Sequence, residues 1–386
     1  MGELRIGLAL SRARAYGRGF CEGFASYTEV RHDWRLEMVS PAASLDRYDG
    51  IVSHVMNDDD ATRLAESGVP VVADFYRRPT KPLAQAIPDH AAIGRMAAGL
   101  FRERGFSNFA FCGYDGILFS DMRRDGFARA LAEVEAECHQ YGGGPKALAQ
   151  FDENVILREE LTPQAPDSDE LSAWLESLPR PCGLFCCHDL RAFHALAAAR
   201  SVGLRVPEDI AILGVDNDVL VCSFTAPRLS SIDNNAFGVG RAAARLLDDL
   251  MQGRASRDAV VKVAPTGVVS HASTDVFNYS SQLVNDALRF IHRSLADNIT
   301  SEDVFNHLGR SHTLVERLFR ADLGTTVHAE IQRLRLVEAR RLLSTTALPM
   351  AEIAKRSGYS SKRYFLHAFR QSCGMTPYDY RESLQK

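Results

Sequence analysis

Carboxylates and aromatic side chains follow several short apolar segments in the first 270 residues of this chain. Asp74, Asp189 and Asp216 each come at or just after such a segment, and Tyr16 ends the loop that follows the first one. A carboxylate accepts hydrogen bonds, whereas each hydroxyl of a sugar both donates and accepts. Several acids converging with an arginine can therefore bind vicinal hydroxyls, and the pattern predicts a sugar site.

The apolar segments alternate with amphipathic ones, which is typical of strands and helices that form a buried parallel sheet. The right-handed crossover rule then predicts a doubly wound α/β body, and about 270 residues suit two Rossmann-like lobes. Ligands of such sheets bind at the carboxyl ends of the strands, where the acids fall. The strands are predicted at residues 4–10, 48–54, 69–74, 109–112, 183–187 and 210–215, and the helices at 16–30, 60–67, 89–104, 123–137, 189–202 and 237–251.

Each of these acids has an alternative role as a helix N-cap, because a carboxylate directly after a strand commonly accepts from the next helix. We favour that role for Asp89. The sequence shows no nucleophile motif and no second pair of ligands at zinc spacing beside Cys186, Cys187 and His188, so neither an enzyme nor a metal site is predicted. No cofactor is expected, and the effector is a small molecule.

The 386-residue chain carries 46% apolar and 24% charged residues, as a globular protein does. No apolar run spans a membrane, and eight cysteines without paired spacing indicate a reducing compartment, so we expect a cytoplasmic protein. The net charge of −4 divides unevenly. Residues 276–386 carry 16 Lys and Arg against 11 Asp and Glu, a net +5, and residues 1–275 carry −9. This division fits a nucleic-acid-binding tail or merely an uneven surface.

Two segments of the tail repeat each other at an offset of 50 residues. Phe319 matches Phe369, and Gly324 matches Gly374. Each copy reads as a short helix, a glycine-containing turn and a second helix, which is the helix-turn-helix pattern. A long helix over residues 327–345 is predicted between them, with an inward face formed by Ile331, Leu334, Val337, Leu342 and Leu343.

The exposed start of each second helix is expected to reach base edges in the major groove of double-stranded DNA. The alternative is that some of these side chains contact phosphates or face solvent. Phe365 and Phe369 are predicted to be core residues. The candidate DNA-binding residues are His312, Thr313, Glu316 and Arg317 in the first copy, and Ser361, Lys362, Arg363 and His367 in the second.

Over residues 6–270 the body resembles the sugar-binding core of the LacI/GalR repressors, which it shares with periplasmic sugar-binding proteins. The most specific stretches are residues 206–217 and 227–232. The resemblance implies a two-lobed, type I periplasmic-binding-protein-like fold. It also implies that Asp216, Arg123 and Asn234, or its neighbour Asp233, bind the sugar. The usual Asn-Asp pair is replaced by His188-Asp189, and the helix-turn-helix that precedes the first strand in those repressors is not found here.

The tail closely resembles the AraC/XylS DNA-binding domain across its whole length. The residues that carry the resemblance are 335–343, 350–354, 358–360 and 374–381, with Tyr364, Phe365, Phe369 and Arg370. The combination of a LacI-type core with an AraC-type tail resembles the domain arrangement of the regulators of xylose operons. The resemblance implies a D-xylose-induced activator that works as a homodimer with RNA polymerase. Alternatives are a regulator or repressor responding to another sugar, and a sugar-processing enzyme with a regulatory tail. The expected domains are residues 1–272 for sugar binding, a linker at 273–282 and a DNA-binding domain at 283–386.

Overall fold

The computed structural model describes residues 3–29, 31–40, 44–143, 165–346 and 348–383. The chain forms two compact units. The first unit takes residues 1–103 and 107–274, and the second takes 104–106 and 275–386. Ser273 and Thr274, at the start of the predicted linker, are fully buried in the first unit, where Ser273 Oγ donates to the carbonyl of Ile212 at 2.6 Å.

The first lobe of the first unit has a parallel sheet in the order β2-β1-β3-β4, and the pair β5 and β11 lies beside it through a bridge between Val72 and Ala84. Helices α1 and α8 cover one face, where Phe20 and Phe24 pack against Val239. The elements of this lobe are β1 (Leu4–Ala9), α1 (Ala15–Ser26), β2 (Trp34–Met38), β3 (Gly50–Val55), α2 (Asp58–Glu66), β4 (Val71–Phe75), β5 (Gln85–Pro88), α8 (Ala236–Met251) and β11 (Val260–Val263).

The second lobe has a six-stranded sheet in the order β12-β10-β9-β8-β6-β7, parallel except at the β10–β12 edge. Helices α3 and α4 can cross closely because Gly94 has no side chain. A Cβ atom at this position would lie 2.4 Å from the backbone nitrogen of Phe127. The elements are α3 (His90–Glu103), β6 (Asn108–Cys112), α4 (Leu118–Ala132), β7 (Cys138–Tyr141), α5 (Ser168–Ser177), β8 (Cys182–Cys186), α6 (Asp189–Ser201), β9 (Ile210–Val215), α7 (Val219–Ser223), β10 (Ser230–Asp233) and β12 (Gly267–Val269).

A buried ion pair lies inside the second lobe. The guanidinium of Arg191 on α6 donates to both carboxylate oxygens of Asp167, at 2.9 and 2.6 Å, and neither residue reaches solvent. The same guanidinium lies over the rings of Tyr114 and Tyr141, and its Nε donates to the sulfur of Cys112 at 3.2 Å. The pair therefore ties the segment before α5 to the sheet.

The second unit is all-helical, as predicted, with two small cores that share α12. Val327, Ile331 and Leu334 enter the first core, whereas Leu342 and Leu343 enter the second. The prediction that Val337 faces inward is wrong: it is 51% exposed, because it lies on the opposite side of the helix. The helices are α9 (Gln282–Ser294), α10 (Ser301–Leu308), α11 (His312–Leu323), α12 (Val327–Thr345), α13 (Met350–Arg356), α14 (Lys362–Cys373) and α15 (Pro377–Ser383).

The internal repeat is also visible in the structure. Phe319 and Phe369 are both fully buried, and α11 and α14 end at Gly324 and Gly374 with φ of +69° and +72°. Glycine adopts this left-handed conformation without steric cost, so it ends both helices in the same way. Two helix-turn-helix units on one connecting helix and a two-lobed α/β body confirm the predicted fold class.

Candidate functional site

A cavity of about 120 Å³ lies between the two lobes of the first unit, beside the carboxyl ends of strands from both sheets. It brings together five of the six predicted sugar-binding residues, Tyr16, Asp74, Arg123, Asp189 and Asp216. The sixth, Asn234, contacts Asp216. Further lining residues include Arg14, His54, Tyr76, His90, Phe119, His188 and Asp218.

Asp216 comes directly after β9 and has an unusual backbone, with φ of +108°. A non-glycine residue in this region is strained, and such strain is typical of functional sites. The strained turn directs the carboxylate to Asn234, whose amide donates to it at 2.7 Å, and to the Arg123 guanidinium at 3.6 Å. Asn234 keeps its carbonyl oxygen buried and without a hydrogen-bond partner among the described residues.

Arg123 is on the buried face of α4, which begins at Leu118 rather than at the predicted residue 123. Its guanidinium donates to the backbone carbonyl of Cys187 and, at 3.3 Å, to Nδ1 of His90. It also lies over the Phe119 ring. These contacts from α3, α4 and the end of β8 fix the guanidinium beside Asp216, and an arginine fixed in this way is preorganised for a hydroxyl ligand.

The first lobe contributes Asp74 and Tyr16, which lie close to His54. The His54 ring stacks on Tyr16, and its Nε2 is 3.7 Å from the Asp74 carboxylate. That nitrogen is buried and makes no hydrogen bond to any described residue. His54 thus presents a potential donor to the cavity, and Asn234 keeps a free acceptor next to Asp216, which lines the same cavity.

Burial governs the protonation states of the site. It raises the pKa of Asp216 to about 6, although the Arg123 charge opposes the shift. It likewise lowers the pKa of His54 and holds the pKa of both His90 and His188 well below the ordinary value. The three imidazoles are therefore neutral near pH 7 and can each donate one hydrogen bond and accept another.

Asp189 lines the cavity, but other protein groups occupy its carboxylate. Ser231 Oγ donates to one oxygen at 2.6 Å, and the backbone N–H of Asp218 donates to the other at 2.8 Å. His188, the position that departs from the repressor pattern, caps α6 by accepting the N–H of Arg191 at 2.9 Å. Asp89 has the predicted N-cap role, because its carboxylate accepts the N–H of Ala92 in the first turn of α3 at 2.9 Å.

Sequence reasoning missed His54, His90 and Tyr76 in the cavity. His54 is the only ring-bearing residue in segment 50–55, where Ser53 is the only other polar side chain, and that signal could have singled it out. Tyr76 lies one residue beyond β4 and two residues after the predicted site residue Asp74. His90 carried no signal, because the first turn of α3 is brought to Arg123 by a helix crossing.

In the second unit, the structure leaves Thr313, Arg317, Lys362, Arg363 and His367 exposed on α11 and α14. His312 and Ser361 are exposed as well, but each of them also makes a contact within the tail. His312 stacks on Phe305 and lies 3.2 Å from the Glu302 carboxylate, Glu316 is half-buried, and Ser361 caps α14 by accepting the N–H of Tyr364.

The pKa of Asp216 predicts how ligand affinity depends on pH. Hydroxyl donors bind the ionised carboxylate, so a sugar should bind with constant affinity above about pH 7 and progressively more weakly below about pH 6, by up to about tenfold per pH unit. Calorimetric titrations from pH 5 to 8 test this. In Asp216→Asn this pH dependence should disappear, and an unchanged profile in that variant would assign the titration to another group.

Two family models match the chain, a periplasmic binding protein-like domain over residues 98–274 and a helix-turn-helix domain over residues 305–383. The chain is 27% identical to the xylose operon regulatory proteins of Haemophilus influenzae and Escherichia coli K12, over 98% of its length and 98% and 97% of theirs. A solved structure of the xylose-binding transcription activator xylR has a TM-score of 0.60 at 26% identity, with 98% of both chains covered. None of the described helices is long and apolar enough to cross a bilayer.

Proposed function

We propose that D-xylose activates this transcription regulator, because the chain is a homologue of the xylose operon regulatory proteins. Its body is periplasmic-binding-like and its tail is a helix-turn-helix domain. The sugar binds between the lobes of the body, and the tail binds an operator in double-stranded DNA. The cavity binds its effector without converting it. RNA polymerase is the partner of the activated regulator, which works in the cytoplasm.

The size of the cavity supports a monosaccharide as the effector. One water molecule needs about 10–15 Å³ of cavity volume, so the cavity of about 120 Å³ has room for about eight to twelve water-sized groups. An aldopentose has about ten non-hydrogen atoms, and a disaccharide has more than twice as many. The convergence of Asp216, Arg123 and Asn234 with the Asp74–His54 pair is the observation that carries the proposal, since it supplies donors and acceptors from both lobes.

A thermal-shift panel of pentoses and hexoses tests the effector. A sugar present at about 100 times its Kd should stabilise the protein by about 2.7 kcal/mol. A shift with hexoses alone would exclude D-xylose and support a regulator for another sugar. Formation of a product from any of these sugars would support the enzyme alternative.

Arg363 is proposed to read a base, since it is exposed in the first turn of α14. Arg363→Ala should weaken binding to the specific operator by about 1–3 kcal/mol, because an arginine pairs with the O6 and N7 of guanine. Electrophoretic mobility shifts on operator and random DNA measure the loss. An equal loss on both would assign Arg363 to a phosphate instead.

A homodimer is the proposed assembly, and α7 is its proposed contact. Val219 and Leu220 in α7 and Phe224 directly after it are 66%, 57% and 74% exposed, so three large apolar side chains lie on the surface within six residues. Phe224→Asp should shift the protein from dimer to monomer, because burial of an unpaired carboxylate in an apolar interface has a large desolvation free energy. Analytical ultracentrifugation compares it with Val261→Asp on the β11 edge, and equal dissociation constants would contradict the assignment.

A further inference from the structure

We propose that Asp218 is a latch between the two lobes and that Asp189 acts through it rather than on the sugar. The latch consists of Asp218, the Arg18 side chain and the N–H of Ala15. This inference deepens the proposed function, because it concerns the closure of the same cavity. It makes Asp218 and Arg18 positioning residues for effector binding.

The contacts of the Asp218 carboxylate cross from one lobe to the other. Asp218 follows β9 in the second lobe, and one of its oxygens accepts the N–H of Ala15 at 3.0 Å and the Arg18 guanidinium at 3.1 Å. Both partners are on α1 of the first lobe. The other oxygen accepts the N–H of Leu220 and caps α7. Asp218 is only 6% exposed, so these contacts replace water around the carboxylate.

Helix α1 lacks a cap of its own. Its N-cap residue is Arg14, whose side chain makes no capping hydrogen bond. The first N–H groups of a helix need acceptors, and the helix dipole favours a negative charge there. Asp218 supplies both from the opposite lobe, so separation of the lobes returns the start of α1 and this carboxylate to water.

Arg18 is also held by hydrogen bonds within its own lobe. Its guanidinium also donates to the backbone carbonyls of Arg12 and Ala13, at 3.2 and 2.9 Å. Less side-chain entropy is therefore lost when the ion pair forms. Arg18 does not line the cavity, which separates its effect from direct sugar contact.

Asp189 supports the latch from behind. It accepts the N–H of Asp218 and the hydroxyl of Ser231, and a side chain at Gly214 would lie 2.2 Å from its Oδ1. Its carboxylate is thereby enclosed between β9, β10 and the residues before α7. Because the Asp218 backbone is fixed in this way, its carboxylate can contact α1 only when the two lobes are as close together as they are in this structure. A sugar that bridges the lobes and this latch stabilise the same arrangement.

A double-mutant cycle on the full chain tests the latch, with D-xylose affinity measured by calorimetry. Arg18→Met should weaken binding about three- to fivefold, and Asp218→Ala about tenfold. In the Asp218→Ala background, Arg18→Met should change nothing further. Arg18→Lys should restore most of the affinity, and Arg12→Met, an exposed charge on the same loop, should leave it unchanged. An equal loss from Arg18→Met in both backgrounds, or the same loss from Arg12→Met, would overturn the proposal.

A second measurement separates failure of the latch from failure of the proposed effector. Dyes attached through unnatural amino acids at Asp59 on α2 and Glu176 on α5 report the distance between the lobes by energy transfer. Without sugar, Arg18→Met should lengthen and broaden this distance, whereas Arg12→Met should not. An unchanged distance overturns the latch. Absence of D-xylose binding by the wild type overturns the proposed effector and leaves this test of the latch intact.

Discussion

Replacement of Asp216 by alanine is expected to weaken sugar binding by more than about 100-fold. The carboxylate can accept two sugar hydroxyls, each hydrogen bond to a charged group contributing about 1.5–3 kcal/mol. Its loss also leaves the Arg123 guanidinium buried beside the cavity without its carboxylate. Isothermal titration measures the affinity, and thermal unfolding without sugar shows whether the fold is retained.

Asp59→Ala is the matched control for Asp216→Ala. Asp59 is an exposed acid on α2, so its removal changes the net charge equally and leaves the cavity intact. Only Asp216→Ala should lose the stabilisation by sugar. Normal affinity in this variant would show that Asp216 is not a ligand, whatever the effect on unfolding.

Removal of the Asp167 carboxylate is expected to cost about 3–5 kcal/mol of unfolding free energy. Arg191 is fully buried, so Asp167→Ala leaves its charge without a counter-ion in the second lobe. Burial opposes ionisation of Asp167, but hydrogen bonds from Arg191 and Tyr141 outweigh it and lower its pKa. This stabilisation is therefore present above the ordinary pKa of 3.8 and is lost as the pH falls through the lower value of the folded state.

Urea unfolding at pH 7 compares three variants. Arg205→Met removes an exposed ion pair to Asp209 and should cost less than about 1 kcal/mol. The double variant Asp167→Ala, Arg191→Met should be more stable than Asp167→Ala alone, because no unpaired charge remains. If Asp167→Ala and Arg205→Met cost the same, the buried pair does not stabilise the lobe as argued.

The sequence predicted the parts of the fold that have strong local patterns. Continuously apolar strands such as β8 and β9 lie within a residue of their predicted bounds, and the repeated helices α11 and α14 end at the two predicted glycines. Strands β5 and β11 were not predicted, since they are short and pair with each other across more than 170 residues. The start of α4 was placed five residues late, because its first turn carries Ser120 and Asp121, which accept the N–H groups of Tyr114 and Gly116.

The site was predictable only as a group of strand ends. Periodicity placed Asp74 and Asp216 at the carboxyl ends of strands, but it could not show which carboxylates remain available to a ligand. That distinction depends on hydrogen bonds between residues distant in sequence, such as Ser231 to Asp189 and Ala15 to Asp218. In the tail, likewise, the contact of His312 with Phe305 depends on packing between two helices.

The distribution of free and occupied polar atoms around the cavity has a consequence for the engineering of biosensors. Both carboxylate oxygens of Asp189 accept hydrogen bonds from protein donors, whereas His54 Nε2 and Asn234 Oδ1 have no described hydrogen-bond partner. A library that varies His54, Asn234 and Tyr76 while sparing Asp189 and Asp218 should change which effector is detected and preserve the transcriptional response. Ligand selectivity and signal transmission are then separately evolvable traits of one binding pocket.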